Sequence, residues 1–177
     1  MHTLVDSTVQ AAIADHEEAG MTNIEALYKQ YSPDVFRFAL YLSGNRDDAA
    51  DITSETFVRA WTTPDRINVS TVKAYLFTIA RNLFLQEMRK KPRRAELSDE
   101  MRDPLPNPAR QAEDRSELDA VLAELRQLPE LDRTALLMRA LEEIPYEEIA
   151  SALNISVTTA KVKVHRARLL LSRRRML

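Results

Sequence analysis

The 177-residue sequence contains no cysteine and only two glycines, Gly20 and Gly44. Without cysteine there can be no disulfide, thiolate zinc site or thiol nucleophile. Two glycines cannot supply a G-x-G-x-x-G or phosphate-binding loop, and they are too few for the turns of a sheet protein. No segment approaches the roughly 18 consecutive apolar residues of a membrane span, and the acidic first 30 residues are not typical of a signal peptide. We therefore expect a soluble, cytoplasmic, mostly helical protein without membrane insertion.

The formal net charge of −2 conceals an uneven distribution of charge along the chain. Residues 1–23 carry four acids and no base, and residues 95–114 are also strongly acidic. Residues 24–94 and 115–177 each have a net positive charge, with seven bases and no acid between Lys161 and Arg175. Two basic modules separated by an acidic stretch indicate contact with a polyanion. The alternative is that the bases lie at helix C-termini, where they interact favourably with the helix dipole.

Apolar periodicity predicts four helices in the first basic module. The first ends before Ser32-Pro33, which is expected to restart a second helix that ends at Gly44-Asn45. A third helix spans 47–61. A fourth, capped by Ser70, is expected to end at Pro92, and four prolines in 92–110 predict a semi-rigid linker.

The second module contains a leucine-rich helix, a helix opened by Pro129, and two short helices separated at 154–156. Ten of the 11 aromatic residues lie between Tyr28 and Phe84. We therefore expect the two modules to have different cores.

Residues 146–168 have the spacing of a helix-turn-helix motif. Asn154 at the turn tolerates a left-handed conformation, and Ser156 can cap the second helix. Hydroxyls followed by cations then face outward, as on a helix that reads base edges and contacts phosphates. The alternative is a helical hairpin with a basic face. The outward residues are Thr158, Thr159, Lys161, Lys163, Arg166 and Arg168.

Two further polar stripes stand out in the first module. The third helix carries Asp48, Asp51 and Glu55 on one face, which repels DNA and suits either solvent or a basic protein partner. On the fourth helix an amide and guanidinium stripe suits base edges, and nearby cations can neutralise phosphate, although an ordinary solvated face would look the same. That stripe and its cations include Arg81, Asn82, Gln86, Arg89 and Lys90.

Taken together, these segments resemble bacterial sigma factors of the extracytoplasmic-function group. The resemblance is carried by DDAADITSETFVRAW at 47–61, AYLFTIARN at 74–82, LPEL at 128–131 and EIA at 148–150 with the helix that follows. It implies an all-α protein with a region 2 bundle at 24–94 and a region 4 helix-turn-helix domain at 115–177. The acidic linker at 95–114 would thread the polymerase cleft, and the acidic extension at 1–23 has no role in the family pattern. Three positions depart from that pattern: Tyr75 stands where Trp is frequent, and Asn154 and Ala160 replace Gly and Val.

The resemblance also implies partners and roles. The chain would be a monomer when free, would bind core RNA polymerase through the β′ coiled coil and β flap, and would have an anti-sigma factor. In holoenzyme it would associate with the nucleoid and direct polymerase to −10 and −35 promoter elements. Core binding would use Asp48, Asp51, Glu55 and Arg59. The −10 strand would contact Arg66, Asn68, Arg81, Asn82, Gln86, Arg89 and Lys90, and the −35 duplex would contact the six outward residues of the last helix.

Three other classes of protein fit the sequence less well. An enzyme is disfavoured because the three histidines have no carboxylate at convergent spacing, and no cofactor or metal is expected. A helix-turn-helix repressor would need a dimer interface and a ligand site. A protein that only mimics a sigma factor would not need the DNA-reading side chains.

Overall fold

The computed structural model describes residues 22–62, 70–95 and 112–174, and within these ranges every regular element is an α-helix. The all-α expectation is therefore confirmed for this part of the chain. The N-terminal module consists of α1 Thr22–Ser43, α2 Arg46–Thr62 and α3 Val72–Ala95. The C-terminal module consists of α4 Ala112–Arg126, α5 Glu130–Glu142, α6 Tyr146–Leu153 and α7 Val157–Arg174.

Helix α1 is continuous through Pro33, so the predicted break at Ser32-Pro33 is wrong. An interior proline removes one backbone hydrogen bond and costs about 3 kcal/mol. Beyond it, Val35, Phe38 and Leu42 are completely buried. Each contributes about 1.5–3 kcal/mol on burial, which outweighs the local cost. The predicted end at Gly44 is confirmed, since that residue has a φ of +70°.

Polar side chains cap the N-terminal starts of α2 and α3. The Asn45 side-chain oxygen accepts hydrogen bonds from the backbone amides of Asp47 and Asp48 at 2.9 and 3.0 Å. At the start of α3 the cap is Thr71, whose Oγ1 accepts from the Ala74 amide at 3.2 Å, and not Ser70 as predicted. The Ser70 hydroxyl is instead hydrogen-bonded to a glutamate of α6.

Helix α3 also continues beyond the predicted stop at Pro92 and ends at Ala95. Because Pro92 lies in the last turn, it removes only one intrahelical hydrogen bond near the helix end. The helical part of the N-terminal module therefore extends into the segment that was predicted to be linker. The rest of that linker, like residues 1–21, lies outside the described residues.

The core of the N-terminal module is mixed aromatic and aliphatic. Phe38 of α1 and Phe77 of α3 stack at a centroid distance of 4.4 Å. Three buried threonines donate their hydroxyls to the carbonyl four residues earlier, each at 2.6 Å, so that no hydroxyl is left unpaired: Thr53, Thr56 and Thr78.

The helix-turn-helix geometry of the C-terminal module is confirmed. Asn154 adopts the left-handed conformation with φ 54° and ψ 47°. The Ser156 Oγ accepts a hydrogen bond from the Thr159 amide at 3.0 Å and so caps α7. At 18 residues α7 is longer than the short helix expected, and Ala160, Val164 and Ala167 bury one of its faces.

The expectation of two different cores is wrong, because the buried apolar residues of both modules form one continuous cluster. Helices α4 and α5 contact α1, and α5 and α6 contact α3. The Arg133 guanidinium of α5, for example, lies 5.6 Å from the ring centroid of Phe84 in α3. The positions of the aromatic residues along the chain could not predict the shared core, because they carry no information on how the two modules pack together.

Candidate polymerase and nucleic-acid interfaces

The acidic stripe of α2 divides into two parts. Asp51 and Glu55 are exposed, and neither forms an ion pair with a side chain that the structure describes. Asp48 pairs with Lys91 of α3 at 2.6 Å, and the Arg59 guanidinium donates to the Gln86 side-chain oxygen at 3.4 Å. The predicted core-binding residues therefore share one helix, but only Asp51 and Glu55 present free charge.

The residues of α3 that are predicted to contact the −10 strand differ in how exposed their side chains are and in whether they are paired. Arg89 is exposed, Lys90 is exposed and pairs with Glu87 at 3.1 Å, and Asn82 and Gln86 are half-buried. Two other predicted residues, Arg66 and Asn68, lie in 63–69, outside the described residues.

Arg81 is the exception within the −10 set, because it faces the C-terminal module. Its guanidinium donates two hydrogen bonds to Glu130 of α5, at 2.7 and 2.9 Å, and its side chain is only 13% exposed. Burial raises the pKa of Glu130, but the hydrogen bond and charge of Arg81, helped by Thr134 and Arg133, lower it below the ordinary value. Arg81 is therefore not open to a phosphate in this arrangement.

Glu142, at the end of α5, forms a second link between the modules. Its side chain is 5% exposed, and its carboxylate pairs with Arg37 of α1 at 2.6 Å and also with Lys73 of α3. Hydrogen bonds from Lys73 to Glu142 and to Asp34 raise the pKa of Lys73 above its ordinary value, although desolvation opposes them.

A third link is made by Glu148 of α6. It accepts a hydrogen bond from the Thr71 hydroxyl at 2.8 Å and is also bonded to Ser70. Three acids of the C-terminal module thus engage basic or hydroxyl groups of the N-terminal module.

The predicted outward face of α7 is largely accessible. Thr158, Lys161, Arg166 and Arg168 are exposed, while Thr159 and Lys163 are half-buried. The Thr159 hydroxyl bonds to Ser156 at 2.7 Å, so it belongs to the cap. The six residues lie on one helix, but their side chains differ in exposure and in whether they already have a partner.

Sequence reasoning missed three residues in this region. Val162 is 57% exposed and His165 is exposed, and both lie on the side of α7 opposite its buried stripe. Their spacing from the buried Ala160 and Val164 places both on that face, but Val162 carries no polar group and His165 has no formal charge at pH 7, so a pattern of hydroxyls and cations does not include them. The third is Asp132 of α5, whose fully buried carboxylate pairs with Lys163 at 2.9 Å and with Arg166 at 3.3 Å.

Two negative findings apply to the described ranges. No helix in them combines the length and apolar character that a membrane crossing requires. Within the same ranges no group of three or more histidine, aspartate or glutamate side chains could hold a metal ion.

Comparison with known families gives two matches that follow one another along the chain. Sigma-70 region 2 matches residues 27–94, and Sigma-70 region 4 matches residues 118–171. The first covers most of α1–α3 and the second covers most of α4–α7.

Individual relatives agree with these matches. The ECF RNA polymerase sigma factor SigE of Mycolicibacterium smegmatis is 35% identical over 161 residues, which are 88% of this chain and 62% of SigE. SigM of Bacillus subtilis, also an ECF sigma factor, is 33% identical over 150 residues, 82% of this chain and 90% of SigM.

Two solved structures share the fold. The sigma factor RpoE of Bartonella quintana, in complex with the anti-sigma factor NepR, superposes with a TM-score of 0.69 at 29% identity, covering 86% of this chain and 96% of RpoE. CnrH in complex with the cytosolic domain of CnrY gives a TM-score of 0.66 at 22% identity, covering 95% of this chain and 94% of CnrH, and shows the fold alone.

The fold, the order of its two modules and these matches define a sigma factor of the sigma-70 family, with α1–α3 as region 2 and α4–α7 as region 4. Within that family the chain belongs to the extracytoplasmic-function group, as an alternative sigma factor that directs RNA polymerase in transcription initiation. It is therefore a non-enzymatic initiation factor that acts by binding.

Proposed function

We propose that three helices of this sigma factor perform separate tasks during initiation. Helix α2 binds the coiled coil of the polymerase β′ subunit, α3 with the segment before it holds the opened −10 strand, and α7 reads the −35 duplex. The observation that carries the proposal is α7, whose outward face remains accessible beyond the left-handed turn at Asn154. A helix held in this way can enter a major groove.

Docking on polymerase centres on Asp51 and Glu55. Both are exposed acids without an ion partner among the described residues, so they suit a basic surface on another protein. Asp48 and Arg59 have a smaller part, because each already contacts α3. Their contacts keep α2 and α3 in register, so that polymerase docking and DNA reading occur on one rigid unit.

The −10 strand is held by Asn82, Gln86 and Arg89 of α3, with Arg66 and Asn68 of the preceding segment. An unstacked base needs polar partners for its edge, and amide and guanidinium groups provide them. Lys90 neutralises phosphate. Arg81 can join this set only after it leaves Glu130, so the proposal requires the two modules to separate on promoter binding.

A direct test is equilibrium binding of the fluorescently labelled chain to bacterial core RNA polymerase without DNA. We expect nanomolar affinity, and we expect Asp51→Arg to weaken it by at least about 30-fold, the effect typical of breaking an interfacial charge pair. Asp119→Arg, an identical charge reversal at an exposed site of α4, is the matched control and should bind normally.

Two results would contradict the docking proposal. One is normal binding of folded Asp51→Arg to core polymerase. The other is an equal loss in Asp51→Arg and Asp119→Arg, which would reduce the effect to overall charge.

We further infer that this chain has an anti-sigma partner. The solved structure of the sigma factor RpoE, which is 29% identical to this chain, is a complex with the anti-sigma factor NepR. A partner of this kind should lower the affinity of the chain for core polymerase in the binding assay above. A copurifying protein that leaves core binding unchanged is not such a partner.

A further inference from the structure

Asp132 lies in the first turn of α5, and its side chain is completely buried. Its two oxygens form no hydrogen bond with any described residue. The charge is balanced by two cations of α7, with Lys163 Nζ 2.9 Å from Oδ1 and Arg166 Nε 3.3 Å from Oδ2. A buried carboxylate thus faces the helix that we assign to DNA reading.

The first turn of α5 favours an acid through the helix dipole, but that does not require the acid to be buried against α7. Removing a charge from water is costly, and well-packed apolar residues in place of a buried ion cluster often stabilise a fold as well or better. Since an apolar side chain at position 132 could pack α5 against α7, the carboxylate needs a further reason.

The geometry at Arg166 supplies one. Asp132 contacts the guanidinium through Nε, and the two terminal amino groups form no hydrogen bond with the described residues. The side chain is 59% exposed, and it lies one helical turn from the exposed Val162 on the outward side of α7. The two terminal amino groups of Arg166, which can donate to two acceptors at once, therefore remain available on the outward side of α7.

We propose that Asp132 is a positioning residue that, through its ion contact at Nε, draws the Nε side of the Arg166 guanidinium towards α5, so that the terminal amino groups read a guanine in the promoter duplex. Arginine forms a bidentate contact with guanine O6 and N7, and this contact depends on the orientation of the planar fork. Holding Nε beforehand reduces the side-chain freedom lost on binding. Lys163 balances the remaining carboxylate charge, so the acid does not repel the DNA backbone.

This inference rests on the proposed reading of the −35 duplex by α7, and it differs from two simpler roles for Asp132. If the carboxylate only withheld two cations from DNA, its loss would strengthen binding to every sequence alike. If it only joined α5 to α7, its loss would lower the melting temperature and leave the base preference unchanged.

The test uses holoenzyme reconstituted from core polymerase and the full chain. A promoter duplex library randomised over the −35 element is bound, and the enriched sequences are read. We expect the wild type to enrich a guanine at one position, and Asp132→Asn to reduce that preference about fivefold, at the low end of what a bidentate contact contributes, with the other positions unchanged. Glu147→Gln, which removes one negative charge at an exposed site of α6, should keep the preference.

A double-mutant cycle links the effect to Arg166. Arg166→Lys keeps the charge but lacks the fork, so it should lose the preference at the same position. Asp132→Asn combined with Arg166→Lys should lose no more than Arg166→Lys alone. Losses that add would overturn the inference.

Folding is checked by thermal unfolding and core binding of each variant. If Asp132→Asn fails to fold, Asp132→Glu is used instead, because it keeps the buried charge but moves the carboxylate by one methylene, and it should also weaken the preference. A folded Asp132 variant that enriches guanine as the wild type does overturns the inference, and so does a uniform change at all positions. A wild type that enriches no −35 sequence overturns the proposed function of α7 and the inference with it.

Discussion

Two exposed cations of α7 have different surroundings, and this separates their expected roles. Lys161 lies 5.8 Å from the ring centroid of Tyr146 and has no ion pair in the described part of the chain. Arg166 contacts a buried acid. Lysine acts on DNA as a flexible point charge, whereas arginine offers a planar fork. We therefore expect Lys161 to contribute affinity and Arg166 to contribute sequence preference.

Lys161→Ala should weaken promoter binding without changing which sequences are preferred. The plot of log affinity against log salt has a negative slope, and the loss of one phosphate contact makes that slope less steep by about one. A salt titration of holoenzyme on promoter DNA measures the slope. An unchanged slope would show that Lys161 does not contact phosphate.

The Arg81–Glu130 pair predicts a pH dependence of stability. The folded state lowers the pKa of Glu130 from its ordinary value of 4.5, so the pair stabilises the fold above that pH. The stabilisation is lost as the pH falls below 4.5 through the folded pKa, since the unfolded chain then binds the proton more strongly. Thermal unfolding should therefore show a steeper acid loss for the wild type than for Glu130→Gln. Parallel curves would contradict this assignment.

At the scale of helices, tertiary packing outweighed local signals at several points. Pro33 is predicted to interrupt a helix and Pro92 to end one, yet Pro33 lies inside α1 and Pro92 lies inside α3. By contrast, Asn154 and Ser156 were predicted correctly, because turn and cap chemistry acts over only a few residues. Local signals were reliable where no distant contact competed with them.

Pro33→Ala tests the continuity of α1. Restoring one helical hydrogen bond should raise the free energy of unfolding by about 1–2 kcal/mol, after allowance for the greater freedom of the unfolded chain. Urea denaturation measures the change. No gain, or a loss, would indicate that the chain does break at Ser32-Pro33.

The candidate site divides in the same way. The outward face of α7 could be predicted because apolar periodicity identifies the buried side and leaves the rest exposed. Asp132 could not be, because its partners Lys163 and Arg166 are about 30 residues away in sequence. A pattern of hydroxyls and cations does not include Val162, although an apolar side chain can contact a thymine methyl.

At the scale of the whole molecule, acids of region 4 occupy cations of region 2. Glu130 holds Arg81, and Glu142 holds Arg37 and Lys73. Arg81 belongs to the set proposed for the −10 strand. In the described arrangement it has little surface left for DNA, so we expect the free chain to bind single-stranded −10 DNA weakly.

The double variant Glu130→Gln with Glu142→Gln should loosen this contact between the regions. The two amides remove the charges that pair with the half-buried Arg81 and Lys73, so the radius of gyration should rise and binding to a −10 oligonucleotide should strengthen. Small-angle scattering and fluorescence anisotropy measure the two effects. Glu117→Gln with Glu147→Gln, at exposed sites, is the control for charge. A more open chain that binds the oligonucleotide no better would contradict the masking of Arg81.

The central claim is that this chain, with core polymerase, selects promoters through two separated DNA elements. It is tested most directly by transcription in vitro from a pool of genomic fragments, with the RNA 5′ ends mapped. We expect start sites that appear only with the chain present, preceded by two shared sequence blocks at a constant separation, and lost with Asp51→Arg. Initiation no greater than that of core polymerase alone, or start sites without shared blocks, would contradict the account.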